Sequence, residues 1–198
     1  MSRSASFSEL FLTFFYIGKI KKAPGTFGSL AGILLWLFIV KIDFSLIDII
    51  YPYQEGSDII LYLFVETILI NIGWLIFLIF LTIFGSFLIK PYSKKVKAID
   101  HKSVILDEVV GQITAIQLAL LLLSIFKIDL LYSPKIELLF IASIFALFRF
   151  FDIKKPLLIG LVDRKIKNGF GVFLDDILAG IFAALMLFVF VGLGYILG

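Results

Sequence analysis

The sequence predicts an all-α membrane bundle of about five hydrophobic helices preceded by an interfacial helix, and three observations predict it. Hydrophobic residues make up 61% of the 198 residues, with 23 Phe among them, and mean hydropathy is +1.11. Soluble domains are only about half apolar. The apolar residues gather into five stretches separated by short polar clusters. Finally, Lys and Arg crowd into alternate connections, the mark of a chain that crosses a bilayer repeatedly.

Residues 1–18 form the first element. Phe7, Leu10, Phe11, Phe14 and Phe15 recur at three- and four-residue intervals opposite Ser6, Ser8, Glu9 and Thr13, a spacing that suits a helix lying in the membrane interface. Glu9 interrupts the apolar run and no small-residue cleavage site follows, so a secretory leader is not expected. The remainder, 19–198, reads as one membrane domain, because five spans of about 20 residues leave no room for a sizeable extramembrane domain.

The five stretches run over 27–42, 59–89, 104–126, 136–151 and 177–197. The second, third and fifth are long enough to span. The first and fourth are short, to be tilted, re-entrant or extended by their flanks. Of the 18 Lys and Arg, all but Lys41, Lys127 and Lys135 fall on one set of loops, which places that set in the cytoplasm. The opposite connections carry no motif.

Composition also excludes chemistry. With no cysteine, disulfides, thiolate catalysis and iron–sulfur sites are ruled out. His101, the single histidine, is expected to be solvated and cannot by itself make a zinc site. The net charge of +3 implies anionic lipid as a partner and does not imply nucleic acid.

Four polar clusters share the cytoplasmic side: KIKKAPGTFGS (19–29), DHKSVILDEVVG (100–111), RFFDIKKP (149–156) and DRKIKNGFGVFLDD (163–176). Asp107 and Glu108 open the third stretch. Acids in a first helical turn suit the macrodipole, yet two carboxylates at the edge of lipid are costly and call for a cation. Gly111, four residues beyond Asp107, leaves that face bare for a ligand or another helix. Asp175 and Asp176 repeat the arrangement ahead of Gly180. Two acidic pairs on neighbouring helices can hold Mg²⁺, a cation that prefers oxygen ligands; two independent dipole caps are the alternative.

Arg149 and Asp152 share a helix face and can pair, or the guanidinium can meet phosphate oxygens. Lys155 and Pro156 then end that helix, with Asp163 and Arg164 next in the same loop. The turn at 23–29 can aim backbone N–H groups and the hydroxyls of Thr26 and Ser29 at an anion. It is not a Walker A loop, since the terminal Gly-Lys-Ser/Thr is missing.

Taken together, APGTFGS at 23–29, DHKSVILDE at 100–108, FRFFDIKKP at 148–156 and DRKIKNGFGVFLDD at 163–176 resemble the motifs of the phosphatidylglycerophosphatase A family. That resemblance implies a bacterial cytoplasmic-membrane enzyme that uses Mg²⁺ to remove the terminal phosphate of phosphatidylglycerophosphate, giving phosphatidylglycerol. It places Asp107, Glu108, Asp152, Asp163, Asp175 and Asp176 in the family's acidic motifs, and Thr26, Arg149, Lys155 and Arg164 in its polar ones. Chemistry makes Asp107, Glu108, Asp175 and Asp176 the expected metal ligands, with Ser29 added to the phosphate binders. The family often has Trp-Pro after its Lys-Pro, where this chain has Leu157-Leu158, and Lys154 stands where a bulky apolar residue is common. Two rival readings are a CDP-alcohol phosphotransferase, whose dense Asp-Gly and Ala-Arg signature is absent, and a cation carrier or channel, disfavoured because the acids gather at one side.

Overall fold

The computed structural model describes residues 3–50, 59–126, 128 and 133–197, all helix or connection without strand. The connections at 51–58 and 129–132 lie outside the described residues. Seven α-helices follow in order: α1 (Arg3–Leu12), α2 (Pro24–Ile50), α3 (Ile59–Val96), α4 (Leu106–Ile125), α5 (Pro134–Lys154), α6 (Leu158–Lys165) and α7 (Gly169–Leu197), with a 3₁₀ turn at Ile17–Lys19.

Among the described residues three helices are long and apolar enough to cross a membrane, within Thr67–Val96, Leu106–Ile125 and Gly169–Gly194. These are the second, third and fifth apolar stretches, the three that the sequence reads as long enough to span; the count of about five is not confirmed. Over its described residues α2 contributes a shorter apolar stretch, Pro24–Val40. Although α5 is long enough, it carries Lys135, Glu137, Arg149, Asp152 and Lys154.

Helix α4 is the axis of the bundle. Val109, Val110, Ile113, Ala115 and Ile116 are completely buried. It packs most extensively on α7 and α2, while α7 also carries α5 and α6. Small residues permit the closest of these approaches: a Cβ at Gly111 would stand 2.7 Å from the Asp176 carbonyl oxygen. On α3 and α7 the outer faces expose Ile76, Phe80, Phe190 and Leu193, which suits lipid as the surrounding solvent.

Local signals set the ends of the site-bearing helices. Ser133 caps α5, its hydroxyl accepting from Ile136 N–H at 3.4 Å, with Pro134 in the first turn; Pro is well placed there because its missing N–H would have no helical partner. The other end stops where Lys155 adopts a left-handed φ of 43° ahead of Pro156. Asn168 caps α7 by accepting from Gly171 N–H at 2.9 Å.

The N-terminal helix stops at Leu12, because Phe14, Phe15 and Tyr16 all take positive φ. Its polar side turns inward: Ser8, Glu9 and Thr13 are buried, while Phe7 and Phe15 are exposed. Glu9 clasps Lys19 at 2.6 Å and Lys95 of α3 at 2.5 Å. These hydrogen bonds outweigh burial and hold the Glu9 carboxyl below the usual range. Ile105 N–H donates to Leu12 O at 3.0 Å, so the clasp braces the loop leading into α4. His101 is half-buried and not simply solvated, its Nδ1 2.7 Å from Ser103 Oγ, which also meets Tyr92 Oη at 2.6 Å.

Candidate functional site

The starts of α2, α4 and α7 and the end of α5 converge at one end of the bundle. There the carboxylates of Asp107, Glu108 and Asp176 each offer an oxygen within 4.8 Å of the other two. Asp107 and Asp176 are buried, 6% and 4% exposed. Asp107 Oδ1 and Glu108 Oε2 have no hydrogen-bond partner. Uncompensated buried carboxylate oxygens are costly, and three converging on one point form the hard-oxygen donor set that a divalent cation needs.

The two acidic pairs differ in their helical setting. Asp107 and Glu108 stand in the first turn of α4, where a dipole contribution applies. Helix α7 begins at Gly169 and has no acid in its first turn, so Asp175 and Asp176 lie too deep for a terminal cap. Asp176 feels the negative charge of Asp152, Glu108 and Asp175.

Neighbours on a helix point about 100° apart, and this separates Asp175 from Asp176. Asp175 turns to the ammonium of Lys155, which also meets Asp163 at 3.2 Å. Asp175 thus falls outside the three-carboxylate cluster. Burial works against the charge on Lys155, but Asp175, Asp176 and Asp163 outweigh it and hold the ammonium above the usual lysine range.

Arg149 and Asp152 form an ion pair at 2.5 Å. Arg149 Nη1 also reaches Ser29 Oγ at 3.4 Å, while the buried Ser29 hydroxyl donates to Gly25 O at 3.0 Å. A Cβ on Gly25 would stand 3.0 Å from both Arg149 Nη atoms and would crowd the Glu108 carboxylate. A side chain here would displace those two charged groups from their positions. Thr26 is half-buried in the first turn of α2, and Arg164 is exposed on α6.

Sequence reasoning missed two features. Gly25, Gly28 and Gly32 form a bare stripe on α2 against Glu108, Ile105 and Gln112 of α4; their three- and four-residue spacing was the available signal. Gln112 is completely buried with neither amide atom partnered. It stands four residues after Glu108, hence on the same helix face.

Residues 10–191 match the family described as Phosphatidylglycerophosphatase A. The chain is 32% identical over 174 residues to the Haemophilus influenzae protein named phosphatidylglycerophosphatase A, covering 86% of this chain and 80% of that one. It is 28% identical over 175 residues to the Escherichia coli protein of the same name, covering 88% and 77%. No solved structure matches.

Proposed function

The chain belongs to the phosphatidylglycerophosphatase A family, a family of phosphatases, and on that premise we propose that it hydrolyses the terminal phosphomonoester of phosphatidylglycerophosphate with the help of Mg²⁺. The reaction would yield phosphatidylglycerol and phosphate for phospholipid synthesis, at the cytoplasmic face of a bacterial inner membrane. The observation that carries the reading is the convergence of Asp107, Glu108 and Asp176 within 4.8 Å.

The donor set fits a divalent cation: three carboxylates from two helices, with buried oxygens on Asp107 and Glu108 that no protein group satisfies. Asp107, Glu108 and Asp176 would hold it. Bound there, Mg²⁺ would supply charge neutralisation at the phosphate and activation of water.

The remaining roles fall to the chain's own side chains. Arg149, oriented by Asp152 and Ser29, binds non-bridging phosphate oxygens through a fork geometry suited to them. Ser29 acts through Arg149 and through the turn it ties to Gly25. Lys155 adds positive charge beside the cluster while Asp163 and Asp175 hold its position. Thr26 borders the phosphate from the start of α2, and Arg164 meets the headgroup at the rim. The diacylglycerol tails remain in the bilayer.

Phosphate release from purified protein, measured on phosphatidylglycerophosphate and on phosphatidic acid with and without Mg²⁺, tests the proposal. Release from the first substrate that stops on chelation is expected. Mg²⁺-independent turnover, or preference for phosphatidic acid, would refute it.

A further inference from the structure

Gln112 is completely buried, yet its Nε2 and Oε1 both lack a hydrogen-bond partner. Leaving such an amide unpaired costs about 1–3 kcal/mol per group, and native interiors rarely tolerate it. Its surroundings show where the partner lies. Opposite Gln112, α2 presents Gly32, whose added Cβ would stand 3.2 Å from Gln112 Cβ, so position 32 offers it no side-chain group. Along its own helix, Glu108 is one turn towards the N-terminus. Helical side chains lean in that direction, covering the turn that precedes them. Gln112 and Glu108 thus share one helix face a turn apart, and Glu108 Oε2 is also buried and unpartnered.

We propose that Gln112 is a positioning residue of the divalent-cation site, its Nε2 donating to Glu108 Oε2 directly or through one water and so aiming the carboxylate towards Asp107 and Asp176. This rests on the reading of the acid cluster as a cation site. Groups that orient metal ligands typically change metal affinity about 10–100-fold when removed. Gln112 would thus set the strength of cation binding without touching the phosphate.

The test uses the full chain in detergent with Mn²⁺ as probe, titrated by electron paramagnetic resonance, and follows the unfolding temperature of the metal-free protein. Gln112→Met keeps the volume and removes the amide; Asp176→Asn reports on the cluster itself. Wild type should bind Mn²⁺, Asp176→Asn should lose it, and Gln112→Met should bind at least about 10-fold more weakly with an unchanged or raised unfolding temperature. Wild-type Mn²⁺ affinity in Gln112→Met, with Asp176→Asn defective, overturns this inference and leaves the cation site standing. A marked fall in the unfolding temperature of Gln112→Met also overturns it, in favour of a packing role. Absence of Mn²⁺ binding in the wild type removes both.

Discussion

Gly111 on α4 lies against the backbone of Asp176 on α7: a Cβ at position 111 would stand 2.7 Å from the Asp176 carbonyl oxygen and 2.7 Å from the Phe148 ring. Two acid-bearing helices approach this closely because that side chain is missing, as is the one at Gly180, whose Cβ would stand 2.4 Å from the Gly111 carbonyl oxygen. The distance that lets Asp176 join Asp107 and Glu108 is thus set at residues with no chemistry of their own.

Gly111→Ala is expected to push α4 and α7 apart. Alanine favours a helix over glycine by about 1 kcal/mol, but overpacking against backbone costs about 1–3 kcal/mol, so a net loss of stability follows. Thermal unfolding in detergent, paired with a phosphate-release assay, should show a lower midpoint and a larger proportional loss of activity.

Lys155→Met should leave Asp175 buried beside Asp163 without its cation. Full burial of such a pair would make the loss about 3–5 kcal/mol; because Lys155 is 28% exposed, about 2 kcal/mol is expected. The double variant with Asp175→Asn should recover part of the loss, giving a coupling of about 1–3 kcal/mol in a double-mutant cycle.

Glu9 supplies a pH dependence. Its carboxyl titrates near 4.5 when unperturbed and lower in the folded chain, so its contribution is present above about pH 4.5 and fades as pH falls through the lower folded value. Lys19, raised above 10.5 when folded, loses its share only as pH rises through that higher value. Glu9→Gln should therefore cost about 1 kcal/mol at pH 7, and the difference from wild type should shrink as pH falls below about 4.5 and vanish only below the lower folded value, as read by unfolding across pH.

Much of the site was legible because acids beside lipid are expensive and so conspicuous in sequence. Asp107, Glu108 and Asp176 stood out on that ground, as did the Arg149–Asp152 spacing and the helix stop at Lys155-Pro156. Which member of the 175–176 pair joins the cluster was not legible, since it depends on the rotation of α7 against α4 and α5. The same limit hid Gln112, an ordinary polar residue until burial strips it of water. Length and composition bear out the three long spans, while the count of five is not confirmed at α5, where length and charge disagree, or at α2, where the apolar run is short. The clasp of Glu9 with Lys19 and Lys95 was not legible either, because it depends on how α1 docks against α3.

The most direct measurement is the turnover number for phosphatidylglycerophosphate of Asp107→Asn and Asp176→Asn, assayed in detergent at saturating Mg²⁺ beside the wild type. A fall of roughly 10²–10³-fold in each is predicted, the scale on which losing one preorganised charge-stabilising group acts. Near wild-type turnover in both variants would contradict the assignment of these buried carboxylates as the catalytic centre.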